Sequence, residues 1–113
     1  MFVIAMPVIK AFVSNPLLAD APLAALGTAT ERACVDLLGA QAAQVQLVVV
    51  AAHAVPRGCP VYLEVQFRRN ERRGAQVVAR FMDAMEGALG TCFGAVPRIR
   101  CFSEDQDFLH ARN

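Results

Sequence analysis

The stretches "PVIKAFVS" (7–14) and "PVYLEVQF" (60–67) align without a gap at an offset of 53, and both open on Pro-Val. Two further strand-like stretches, "QVQLVVV" (44–50) and "VPRIRCF" (96–102), follow at nearly the same offset. A chain of 113 residues that repeats itself at half its length can bury a core only by packing its halves together. Each half reads as strand, helix, strand, and a right-handed crossover makes the two strands of a half parallel. Side by side, the units give an α+β fold: a four-stranded mixed sheet with two helices on one face. No residues remain to cover the other face, so further subunits must do so. The expected organisation is one domain over 1–113, with unit one at about 6–52 and unit two at about 59–105.

The local signals fit this plan. "VIKAFVS" (8–14) alternates and is rich in β-branched residues, so it reads as a strand, and Pro7 can open it only where a missing N–H costs no ladder bond. Asp20 ahead of Ala21-Pro22 reads as a helix N-cap. Leu23, Leu26, Thr30, Cys34, Leu37 and Leu38 then recur at helical spacing up to Gly39. "VQLVVVAA" (45–52) is too apolar on both faces for a surface strand, which predicts a central, parallel strand covered by helices or by another subunit. In "VYLEVQFR" (61–68), Val61, Leu63, Val65 and Phe67 face one way and Tyr62, Glu64, Gln66 and Arg68 the other. Asn70 is the expected cap of a helix from about Glu71 to Leu89, with Val78, Phe81, Met82, Met85 and Leu89 as its buried stripe. A short strand at 98–102 and a polar tail anchored by Phe108 and Leu109 complete the chain.

Composition narrows the function classes. A hydrophobic fraction of 56% is high for a small monomer and points again to a subunit interface. The net charge of +1 supplies no field for nucleic acid or an anionic membrane. The start, "MFVIAMPVIKAFVSNPLLADA", resembles a signal peptide but lacks a basic n-region, and Pro7 and Lys10 interrupt its apolar run. A cytoplasmic protein is expected. Cys34, Cys59, Cys92 and Cys101 show no CxxC spacing, and only His53 and His110 are available as further ligands, so neither a metal site nor a cofactor is expected.

The charge that matters is local. Ten arginines stand against one lysine, and four of them crowd into "RRNERR" (68–73). Arginine grips carboxylates through a planar fork, so the run reads either as an anion site or as a solvated helix start.

A Met-Pro pair at the head of the first strand, a β-α-β unit of about 55 residues and its duplication together resemble the tautomerase superfamily. The resemblance covers 6 to about 105 and rests on Pro7 and the architecture. It implies a homotrimer that moves a proton between carbon and oxygen of a small α-keto or enol carboxylic acid. It assigns the proton transfer to Pro7 as a terminal amine. It assigns carboxylate binding to Arg68, with Arg69 beside it and Lys10 on the strand that Pro7 opens. Asn70 stands where a second clamp arginine would be, and Gln46 where an arginine opens the second strand. A start at Met6 with the methionine removed frees the Pro7 nitrogen, whereas a start at Met1 leaves it an amide without proton or basicity. In that second case the chain is a non-catalytic protein of the same fold. A ferredoxin-like domain that binds a small ligand at a dimer interface satisfies the same element count.

Overall fold

The computed structural model describes residues 7–53 and 58–105. Strand β1 (Val8–Ser14) leads through a single helical turn, α1 (Asn15–Leu18), into α2 (Leu23–Leu38); a 3-10 turn (Ala42–Gln44) then precedes β2 (Gln46–Ala52). The second half is β3 (Val61–Arg68), α3 (Ala75–Phe93) and β4 (Arg98–Glu104). The sheet runs β2-β1-β3-β4. β1 pairs parallel with β2, and β3 parallel with β4, while β1 and β3 meet antiparallel with Val8 opposite Gln66 and Val13 opposite Val61. Direct pairing of β1 with β2 separates this topology from the ferredoxin-like one, where a split β-α-β leaves another strand between them.

Pleating alternates the two strand faces, and the helices cover one of them. Ile9, Ala11 and Val13 of β1 and Val61, Leu63, Val65 and Phe67 of β3 have no exposed surface. They pack with Leu26, Cys34 and Leu38 of α2 and Phe81, Met85 and Leu89 of α3 in one core. Burying each of the larger side chains contributes about 1.5–3 kcal/mol. The other sheet face carries Val8, Lys10 and Phe12, Tyr62, Glu64, Gln66 and Arg68, and no helix lies on it among the described residues.

Four expectations need correction. β2 is not central: it is an edge strand, and Val50 is 37% exposed. Its two apolar faces have separate causes, since Leu47 and Val49 pack on the core while Val48 and Val50 belong to the open face. Pro22, not Asp20, is the N-cap of α2. A proline bars the residue before it from the α region, so the helix cannot reach back through Ala21, and Asp20 takes a left-handed turn with φ 59. Asn70 caps no helix: its Oδ1 accepts the Arg72 N–H at 2.9 Å and its carbonyl accepts the Arg73 N–H at 3.1 Å. That is a tight Asx turn, and α3 starts only after Gly74, so the arginine run is a loop and not a helix start.

The fourth correction concerns the phase of the repeat. An offset of 53 lays half-buried Val8 on fully buried Val61, and a slip of one residue in a strand changes its face. The helices match at 55: Leu26, Thr30, Cys34 and Leu38 correspond to Phe81, Met85, Leu89 and Phe93, all buried. Gly39 and Gly94, the left-handed C-caps at φ 68 and 67, match at the same spacing. The Pro-Val echo therefore lies out of phase with the structural equivalence of the strands.

Candidate active site

Because β1 and β3 are antiparallel, one end of the sheet gathers the start of β1 and β2 with the exit of β3 and β4. Pro7, which is buried, opens β1 there. The register that sets Val8 opposite Gln66 places Pro7 beside Phe67, with Arg68 the next residue out. Gln46 opens β2 at the same end and is exposed, and Glu104 lies across from Arg68 on β4.

The arginines of the run do different things. Arg68 is half-buried, and its Nε is shut off from solvent without a hydrogen-bond partner among the described residues. A buried donor left unmade costs about 1–3 kcal/mol, so a ligand oxygen that reaches this N–H gains a hydrogen bond from it. Arg69 is different. Its backbone N–H continues the ladder to the Glu104 carbonyl at 2.8 Å, and its guanidinium pairs with Asp105 at 3.4 Å. Both side chains are about half exposed or more, so that pair adds little stability, but it does neutralise Arg69. Arg72 lies against the end of α2, its guanidinium 2.9 Å from where a Cβ on Gly39 would stand.

Arg73 is the residue the sequence did not single out. Its Nε donates to the Leu38 carbonyl at 2.9 Å, its Nη1 donates to the Arg68 carbonyl at 2.8 Å, and its guanidinium lies 5.7 Å from the Phe67 ring centre. Burial holds it below the usual arginine range; the Cys34 thiol opposes that shift, and the charges of Arg72 and Arg68 add to it. No local motif signals this role, because its partners are backbone carbonyls up to 35 positions away.

The structure brings Pro7, Arg68 and Arg69 to one sheet end and leaves Lys10 apart from them. Lys10 sits on the open face opposite Glu64 and Val48, three residues and hence about 10 Å along β1 from Pro7. His53, exposed just past the end of β2, and Tyr62, near the start of β3, belong to the opposite end of the sheet. The Tyr62 hydroxyl donates to Glu64 Oε2 at 3.0 Å, and burial, then the hydrogen bond and charge of Glu64, push its pKa up despite Arg100. Cys59 donates to the Val96 carbonyl at 3.0 Å, also away from Pro7. Burial pushes the Cys34 and Cys101 thiols up to about 12 and about 11, so neither is a nucleophile near neutral pH. Phe102 lies on β4 and is 43% exposed, so it walls no closed pocket among the described residues; Phe108 falls outside them. Among the described residues no three His, Cys, Asp or Glu side chains converge as a metal cage. No described helix is long and apolar enough to cross a membrane.

No protein-family model and no curated protein sequence matches the chain. N1, a member of the cis-3-chloroacrylic acid dehalogenase family, superposes with a TM-score of 0.75 at 13% identity, over 92% of this chain and 79% of its own. A fused 4-OT, described as a symmetric trimer, gives 0.77 at 16% identity over 94% and 92%. Pt0534, solved after inactivation by 2-oxo-3-pentynoate, gives 0.70 at 16% identity over 93% and 89%. These likenesses cover both β-α-β units and the sheet between them. The chain has the fold of the tautomerase superfamily.

Proposed function

We propose that the protein is a tautomerase-like isomerase that moves a proton between carbon and oxygen of a small α-keto or enol carboxylic acid, with neither metal nor cofactor. The observation that carries this reading is that Pro7 opens β1 at the sheet end where β3 delivers Arg68, whose buried Nε lacks a hydrogen-bond partner among the described residues. In the proposed mechanism the Arg68 fork takes the substrate carboxylate and offsets negative charge that grows on the enolate. Arg69 assists once substrate draws it from Asp105. Lys10, about 10 Å along the strand, acts through its charge and not by contact. The Pro7 nitrogen serves as base and then acid in a chain that begins with it. A terminal amine titrates near 8, and a buried site beside guanidinium groups disfavours its protonated form, bringing its pKa toward the working pH. The active assembly in this reading is a homotrimer in the cytoplasm, and it is the trimer that covers the open sheet face.

A second reading has its own support. In the 113-residue chain Met6 precedes Pro7, and the nitrogen of a proline inside a peptide bond has no basicity; the fold then persists without catalysis. Enol-to-keto conversion of phenylpyruvate separates the two. A chain shown by mass spectrometry to begin at Pro7 is expected to turn the enol over, and the chain beginning at Met1 is not. Equal inactivity of both chains would establish the second reading and remove Pro7 as the base.

A further inference from the structure

We propose that Arg73 is a positioning residue that sets the Arg68 guanidinium for carboxylate binding, by bridging the exit of β3 to the last turn of α2. The inference rests on the substrate role proposed for Arg68, but its geometry is independent of any catalysis by Pro7. The ladder between β1 and β3 runs out at Val8 and Gln66, so β1 does not hold the Arg68 peptide. Two other groups do. Arg68 pairs with Glu104 on the β4 side, and on its own carbonyl it receives the Arg73 Nη1 at 2.8 Å.

The other end of the clasp is rigid. Arg73 Nε donates to the Leu38 carbonyl, in the last turn of α2, where helix carbonyls lack intrahelical partners and the helix dipole favours a cation. The guanidinium plane also rests near Phe67, which has no exposed surface. Two donors of one planar fork thus reach two carbonyls that belong to different elements. A lysine can supply the charge but not the fork. The sealed Arg68 Nε, in contrast, has no hydrogen-bond partner among the described residues, so the direction of its guanidinium is inherited from its backbone and packing. The backbone is what Arg73 fixes.

The test compares Arg73→Met and Arg73→Lys with the parent chain and reads the Nε–H signal of Arg68 by nitrogen-resolved NMR, assigned with Arg68→Lys. Hydrogen exchange at that position is expected to quicken by about tenfold in both variants, while the core amides of Ile9 and Val65 keep their protection. An unchanged rate in both variants overturns the proposal, and so does full retention by Arg73→Lys, since the bridge would then not depend on the fork. In the chain that begins at Pro7, the phenylpyruvate KM is expected to rise about tenfold with kcat changed less than about twofold, and Arg73→Met is expected to add nothing in an Arg68→Ala background. A fall in kcat at constant KM marks a purely structural role and also overturns it. The exchange measurement needs no turnover. An inactive chain with quickened Arg68 exchange therefore removes the proposed reaction while leaving the clasp in place.

Discussion

Cys34 has no exposed surface, and burial raises its thiol from 9.0 to about 12, with the nearby Arg73 charge opposing. Cys101, half-buried, rises from 9.0 to about 11 for the same reason. Above about pH 9 the unfolded chain sheds protons that the folded chain retains. The unfolded state then binds fewer protons, so stability falls as pH rises. These thiols leave stability untouched below their unfolded value and withdraw it between about 9 and 12. Urea unfolding from pH 8 to 10.5 is expected to show a falling free energy, each thiol steepening it by at most about 1.4 kcal/mol per pH unit. Cys34→Ala lowers the plateau but flattens the slope; a slope equal to the parent's assigns the loss to other groups. Residues of this kind were only partly legible in the sequence. Cys34 is recognisable as core from its place in a helical stripe, and Arg68 as a site candidate from its place at a strand exit. Arg73 is not, because an arginine that binds backbone carbonyls leaves no pattern among side chains.

Elements were legible where one period dominates. β-branched residues and alternation located the strands at 8–14 and 61–68, while an extension of the first back through 1–5 lies outside the described residues, and Gly39 marked the end of α2 because glycine takes φ 68 without strain. Helix starts were not, since Asp20 and Asn70 are equally at home in turns, and in both cases the turn won. The paired C-caps offer a test at this scale. An alanine at a left-handed position costs about 1–2 kcal/mol. A Cβ on Gly94 meets nothing within 4 Å, whereas one on Gly39 meets the Arg72 guanidinium at 2.9 Å. That group is the free end of a long side chain and can shift at little cost. Gly39→Ala and Gly94→Ala are therefore expected to lose similar stability in denaturant titrations, and only Gly39→Ala to move the Arg72 Nε–H signal. A much larger loss at Gly39 identifies Arg72 as fixed in place, with a part in holding α2 to the arginine loop.

At the scale of the molecule, the sequence predicts an uncovered sheet face by subtraction, since two helices serve one side and nothing remains for the other. It misplaces β2 because an edge strand with one face on the core and an apolar open face carries the same residues as a central strand covered on both sides. On the open face Phe12 and Tyr62 stack at 5.9 Å, with Val48 and Val50 on the β2 side and exposed Phe102 on β4. Phe12 lies on β1, one of the two inner strands, so a carboxylate there falls within the covered area of the proposed trimer and not at its rim. A buried, unpaired charge costs several kcal/mol per site, and a trimer repeats the cost about three times. Light scattering is expected to give a mass near three times 12.2 kDa for the parent and near one for Phe12→Asp. Arg80→Glu, at an exposed position of α3 on the helix layer, serves as the control and keeps the parent's mass. If Phe12→Asp remains trimeric while its circular dichroism is unchanged, the contacts lie elsewhere and the open sheet face is not what the subunits bury.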